Sequence, residues 1–226
     1  MNNQTTRNAP ACRVHTALTA NLEKRLLIWL AVRTPSIISS DHLTLLAFVA
    51  QLFAGAAYAL ASKDTQALWL VNFFLFLNWL GDSLDGTLAR VRNKQRPRYG
   101  FYVDHVADIL GALALITGLS FSGYLHWQVA IALLVGFYIL CIESYLATYS
   151  LGAFHVSHGL FGPTEIRILL AAGNAFLITR PIIVIANHRF LLFDVAGVIA
   201  ISAMLVMAIT AVVDHTMELY RQEPLT

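Results

Sequence analysis

Four aspartates stand out in an otherwise apolar stretch: Asp82 and Asp85, then Asp104 and Asp108, on either side of a strongly basic loop. A helix brings residues three, four and seven apart onto one face, so Asp82, Asp85, Gly86 and Ala89 form one stripe with Arg90 beside its end. Asp104 and Asp108 align in the same way. Four carboxylates converging in a membrane would repel one another and resist desolvation unless cations neutralise them or some carry protons. Bound divalent metal is the simplest resolution. Carboxylate oxygens are hard ligands suited to magnesium or manganese, and four of them suffice for two ions about 3.5 to 4 Å apart. Two such ions would clamp a diphosphate.

The elements that must hold these residues are membrane spans. The chain has 226 residues, 58% of them hydrophobic and only 12% charged, with a mean hydropathy of +0.65. That exceeds the roughly 45 to 50% apolar content of soluble domains. The expected fold is an all-α integral membrane protein with six transmembrane helices and an N-terminal interfacial helix. Residues 1–16 read as a polar tail, and 17–226 as a single membrane domain. In the stretch 17–33, Leu18, Leu22, Leu26 and Trp29 recur at helical spacing, which marks the interfacial helix. The polar start lacks the apolar core of a secretory signal.

From His42 to Ser62 there are twenty-one residues without Asp, Glu, Lys or Arg, about the roughly 20 needed to cross a bilayer. A second span starts near Gln66 and carries the first aspartate pair. A third starts near Gly100. The uncharged run from Ile109 to Ile142 is thirty-four residues long, so a turn at Ser122, Gly123 and His126 divides it. The fourth span ends near Tyr149, the fifth runs from Pro163 or Thr164 to Thr179, and the sixth from about Phe193 to Val213. Five cations lie between Arg90 and Arg98. The positive-inside rule puts that loop, the aspartates and both termini on the cytoplasmic side. The net charge of +2 gives no argument for a nucleic-acid partner. Cys12 and Cys141 suggest neither a disulfide framework nor a thiol metal site.

The pattern Asp82-x2-Asp85-Gly86-x2-Ala89-Arg90, nine residues, then Gly100-x3-Asp104-x3-Asp108 resembles the signature of the CDP-alcohol phosphotransferase family. The resemblance implies a membrane transferase of phospholipid synthesis. It would move a phospho-alcohol group from a CDP-alcohol to a hydroxyl acceptor and release CMP, with magnesium or manganese, two ions, as cofactor. Asp82, Asp85 and Asp104 become metal ligands by that pattern. Asp108 becomes a ligand that also takes the acceptor's proton. Asp85, Gly86, Ala89 and Arg90 become contacts of the nucleotide and its phosphates. A homodimer is likewise implied by the resemblance alone, and the compact size resembles prokaryotic members, hence a bacterial inner membrane. Where members often carry Pro-Asn before the Leu-Thr that opens the first span, this chain has Ser40-Asp41-His42.

Several readings stay open. The small residues Gly86, Ala89 and Gly100 suit either a ligand against the backbone or close helix packing. His105 is an alternative base or an interfacial histidine, and Asp104-His105 resembles the Asp-His pair of choline and ethanolamine phosphotransferases. That pair leans slightly toward a CDP-choline or CDP-ethanolamine donor with diacylglycerol, against CDP-diacylglycerol with a small polar alcohol. Glu143, Arg167 and His105 are candidates for the acceptor side, and capping alone explains Glu165. His155 and His158 have no assignment. A divalent-cation transporter would need polar residues continuing across the bilayer, and an inactive membrane scaffold would have no reason to keep every motif acid.

Overall fold

The computed structural model describes residues 20–151 and 162–223. The polar tail, Cys12, His155 and His158 lie outside the described residues. Seven helices follow in order: α1 (Ala20–Arg33), α2 (Ser40–Ala61), α3 (Ala67–Val91), α4 (Pro97–Phe121), α5 (Trp127–Leu151), α6 (Pro163–Leu177) and α7 (Leu192–Gln222). Among the described residues, five helices are long and apolar enough to cross a membrane: α2, α3, α4, α5 and α7. Helix α6 has 15 residues, or roughly 22 Å. It runs antiparallel to α3, since Thr164 and Ser83 share a partner, Arg167 meets Asp82 and Asn174 meets Asn72.

Local chemistry sets the ends of these helices. Ser39 caps α2: its hydroxyl accepts the His42 N–H while the His42 ring accepts the Ser39 N–H, a reciprocal box with histidine in the usual acid's place. The segment that departs from the family's Pro-Asn therefore has a capping role of its own. Asn93, at φ 54°, closes the C-terminus of α3, and Pro97 opens α4 in the first-turn position that proline favours. Gly123, at φ 80°, makes the expected turn between α4 and α5.

Two departures from expectation concern the far end of the chain. Residues Ile182–Ile185 (β1) and His188–Leu191 (β2) form an antiparallel hairpin, whose two linking residues, Ala186 and Asn187, both have positive φ. A two-residue loop of that kind matches strand twist, and the β-branched run Ile-Ile-Val-Ile favours extended backbone. In addition, α7 extends to Gln222, 31 residues in all, about 46 Å, well past the expected end at Val213.

The core lies between α2 and α3, joined by α4 and α6. Tyr58, Leu68, Val71, Leu75, Leu119, Leu125 and Leu177 form its centre, and a smaller cluster of Leu27, Ala31, Leu43, Leu84 and Leu88 ties α1 to the start of α2 and the end of α3. Helices α2 and α4 touch backbone to backbone: a Cβ on Gly118 would collide with the Gly55 carbonyl oxygen, and one on Gly55 with that of Ala114. Small residues permit that approach where lipid supplies no hydrophobic drive between helices. The crossing brings the second aspartate pair over the first.

Candidate active site

Helices α2, α3 and α4 each contribute one stripe to a single cleft. Its walls are Thr44, Ala47, Phe48 and Gln51 from α2, Asn78, Asp82 and Asp85 from α3, and Asp104, Ala107 and Asp108 from α4. Each set repeats every three or four residues, as one helix face requires. The free volume between them is about 10 Å³, roughly the room one water-sized body needs. Helix α3 lies close on α2 here, since a Cβ on Gly81 would be 2.6 Å from the Leu43 carbonyl oxygen. That closeness brings the Thr44 hydroxyl within 2.6 Å of Asp85 Oδ2.

The structure thus brings all four sequence-predicted aspartates to one place, with different surroundings. Asp85 is the most enclosed, at 7% exposure. Its Oδ1 accepts the Gly86 N–H and its Oδ2 accepts from Thr44, and the charges of Asp104 and Asp82 act on it. Asp82 Oδ2 accepts from Arg167 Nη2 at 2.8 Å, while Arg167 Nε donates to Asn78 Oδ1 at 2.7 Å. Asn78 in turn donates to the Ala47 carbonyl and to Gln51 Oε1. Asp104 is half-buried and Asp108 exposed.

The donor set fits a hard divalent ion, because four carboxylates and no softer ligand line the cleft. The present arrangement does not grip one: among the described residues, no three His, Cys, Asp or Glu side chains converge closely enough to hold an ion. Protein donors already engage Asp82, through Arg167, and Asp85, through Thr44 and Gly86.

The space over Gly86 bears on the two readings of its small size. A Cβ there would meet only Arg90 Nη1, at 3.4 Å, an ordinary contact with the far end of a flexible side chain. Among the described residues no other helix packs against Gly86, unlike Gly55 and Gly118. Arg90 reaches back along its own helix and donates to Thr87 Oγ1 at 2.9 Å. At Gly100 an added Cβ would meet nothing within 4 Å. Ala89 is half-buried.

The acceptor-side candidates separate. Arg167 reaches the aspartates. His105 does not line the cleft: its Nδ1 lies 2.6 Å from the Phe101 carbonyl oxygen, and its ring packs on Phe101 and Tyr145 at the α4–α5 contact. Glu143 faces α7, where its Oε1 is 2.5 Å from His215 Nδ1, and its Oε2 is buried without a hydrogen-bond partner among the described residues. Glu165 accepts the Gly162 N–H, the capping role expected for it.

Sequence reasoning did not single out Asn78, Gln51 or the Thr44–Asp85 bond. Asn78 was within reach, since it lies four residues before Asp82 on the same stripe. Arg92, one of the loop cations, donates to the carbonyls of Thr34, Pro35 and Ile38 and so fastens the α1–α2 connection. Arg96 pairs with Asp41 and lies over the Tyr99 ring, 4.1 Å from its centroid.

Beside the cleft and sharing Thr44, Phe48 and Ala107 with it runs a second cavity of about 340 Å³ between α2 and α4. Asp41 and Thr44 are at one end, and Leu45, Phe48, Tyr99, Tyr102, Val103, Val106, Ala107 and Leu110 form the rest. A polar mouth thus opens into an apolar groove.

The sequence model of the CDP-alcohol phosphatidyltransferase family matches residues 37–213. The chain belongs to that family. Its members are transferases of phosphate-containing groups in phospholipid synthesis, and the resemblance first seen in residues 82–108 holds over most of the chain. The chain is also 29% identical over 114 residues, 50% of its length, to the archaetidylinositol phosphate synthase of Pyrococcus horikoshii. It spans about half of that relative, 53% of its length.

Proposed function

We propose that this protein catalyses a divalent-metal-dependent transfer of a phospho-alcohol group from a CDP-alcohol to a hydroxyl acceptor, releasing CMP. The observation that carries the reading is the convergence of Asp82, Asp85, Asp104 and Asp108 in one cleft beside an apolar groove. That combination suits a substrate with a charged head and an acyl or isoprenoid tail. Asp82, Asp85, Asp104 and Asp108 would hold magnesium or manganese, two ions on the family's pattern, and the metal would neutralise charge on the diphosphate.

The chain's own residues supply the rest. The open backbone at Gly86, with Ala89 and Arg90 beside it, receives the nucleotide end, and the Arg90 guanidinium neutralises charge on the departing CMP phosphate. The acceptor hydroxyl oxygen forms its bond to the phosphorus that carries the donor alcohol as the bond from that phosphorus to the CMP oxygen breaks. The hydroxyl proton passes to Asp108, the exposed member of the set. Thr44 holds Asp85 in place throughout.

The donor is inferred to be a CDP-linked lipid and the acceptor a small polar alcohol. Two observations turn the reading from the choline and ethanolamine branch. His105 faces Phe101 and Tyr145 instead of the cleft, and the matched relative is by name a synthase of an inositol phosphate lipid. The remaining expectations complete the proposal: six crossings with α6 as the fifth, α1 at the interface, site and termini cytoplasmic, and a homodimer in a bacterial inner membrane. The run of cations between Arg90 and Arg98 supports that orientation.

The test incubates purified protein in lipid micelles with magnesium or manganese. CDP-diacylglycerol, CDP-choline and CDP-ethanolamine are supplied separately with a pool of alcohol acceptors, and CMP and lipid products are quantified. Product from CDP-diacylglycerol alone, lost in Asp82→Ala, is expected. Product from CDP-choline or CDP-ethanolamine would move the protein to the other branch, and no CMP here together with cation flux into sealed vesicles would make it a transporter.

A further inference from the structure

Arg167 lies where a metal ligand should be free. Its Nη2 donates to Asp82 Oδ2 at 2.8 Å, and its side chain is 15% exposed against 37% for Asp82. Its Nε is fastened separately, at 2.7 Å, to Asn78. Asn78 is itself 3% exposed and locked by the Ala47 carbonyl and Gln51, so it is a fixed, neutral anchor. The guanidinium therefore has one end on a post that no ion would disturb and the other on a carboxylate oxygen that an ion would claim.

We propose that Arg167 is a resident counter-cation for Asp82, which divalent metal must displace in order to bind, with Asn78 as the pivot on which the guanidinium turns. The proposal rests on the metal-dependent reading above. Two cations cannot share one carboxylate oxygen at contact distance without mutual repulsion, and the low dielectric near the membrane sharpens that conflict. A carboxylate beside three others is also repelled by their charge, and a positive neighbour offsets that repulsion. Arg167 supplies that positive neighbour from α6 and offsets part of the cleft's negative charge. The cost is a weaker apparent affinity for metal, lowered by the fraction of molecules in which Asp82 is released.

The measurement is Mn2+ binding followed by electron paramagnetic resonance on chelator-treated full-length protein in micelles, with no substrate present. Arg167→Gln, which keeps a side-chain amide able to reach Asn78, is expected to bind Mn2+ about tenfold more tightly, the factor for an Asp82 released about a tenth of the time. Arg167→Lys keeps a competing charge and is expected to stay within about threefold of the unaltered protein. Thermal unfolding gives an independent readout. Without metal Arg167→Gln should melt lower, and Mn2+ should raise its midpoint by more than that of the unaltered protein. Equal or weaker Mn2+ binding by Arg167→Gln, with the unaltered protein binding normally, would overturn the proposal and leave the metal-dependent reading intact. Absence of Mn2+ binding in both proteins would overturn the two together.

Should Arg167→Gln fail to fold, the unaltered protein still answers. In arginine-labelled protein the Arg167 Nη protons, identified by their loss in Arg167→Lys, should exchange slowly while held on Asp82 and faster once Mg2+ is added. Protons that stay slow at saturating Mg2+ would mean the ion pair survives, and the displacement would be excluded.

Discussion

The two ends of the α2–α3–α6 core use polar residues in opposite ways. At one end, Asp82, Asp85 and Arg167 are charged and border a cleft. Toward the other end, Tyr58 donates to Asn174, Asn174 donates to Asn72, and Asn72 donates to the Ala171 carbonyl. The second set carries no formal charge at neutral pH, and both Tyr58 and Asn174 are 0% exposed. One end has polar groups directed at something that can enter. The other has polar groups that satisfy one another and hold three helices together. Between them along α3, buried Leu75, at 3% exposure, breaks the polar path. A cation transporter would need that path, so the contrast favours chemistry at one face of the membrane.

Neutralising the charged end should have the largest effect. Asp104→Asn keeps the shape of the side chain and removes one of the cleft's four negative charges. CMP release is expected to fall at least about 10³-fold, roughly 4 kcal/mol of barrier, with the unfolding midpoint nearly unchanged. A loss of both together would mean that Asp104 holds the fold and not the chemistry.

The same operation at the neutral end should give the reverse. Asn174→Leu leaves the Tyr58 hydroxyl and the Asn72 amide without their partner, at a cost of about 1 to 2 kcal/mol. Thermal unfolding in micelles should report the loss, while CMP release per folded molecule stays the same. A drop in turnover at full folding would show that the two ends are coupled through α6.

A smaller change at the charged end sharpens its boundary. Thr44→Val removes the 2.6 Å hydrogen bond to Asp85 while preserving the branched shape. Hydrogen bonds to charged groups are worth about 1.5 to 3 kcal/mol, so turnover should fall by about 10- to 100-fold. An unchanged rate would mean that the Gly86 N–H alone fixes Asp85.

The charged end is far more legible in the sequence than the neutral end. Carboxylates are conspicuous in an apolar run, and their spacing of three and four fits one helix face, so Asp82, Asp85, Asp104 and Asp108 group together on residue type and spacing alone. The amides Asn72 and Asn174 are about a hundred residues apart in the chain, and nothing local marks them as partners. Arg167 is visible as a cation at a helix start, yet its pairing with Asp82 depends on how α6 lies against α3. The Gly55–Gly118 crossing is hidden for the same reason. The hairpin at 182–191 escapes notice because four apolar β-branched residues carry no period that separates a strand from the end of a helix.

Gly86→Ala tests the boundary most finely, because its two effects should have opposite signs. A methyl group at this position meets only Arg90 Nη1, at 3.4 Å, so the helix gains rigidity without a clash. Replacing glycine by alanine inside a helix is worth up to about 1 kcal/mol, and the unfolding midpoint should rise or hold. The same methyl projects into the space assigned to the nucleotide, so the KM for the CDP-linked donor should increase about tenfold, equal to roughly 1.4 kcal/mol of lost binding, with kcat less affected. A stabilised protein with unaltered KM would remove Gly86 from the donor site and leave its small size unexplained by either packing or ligand.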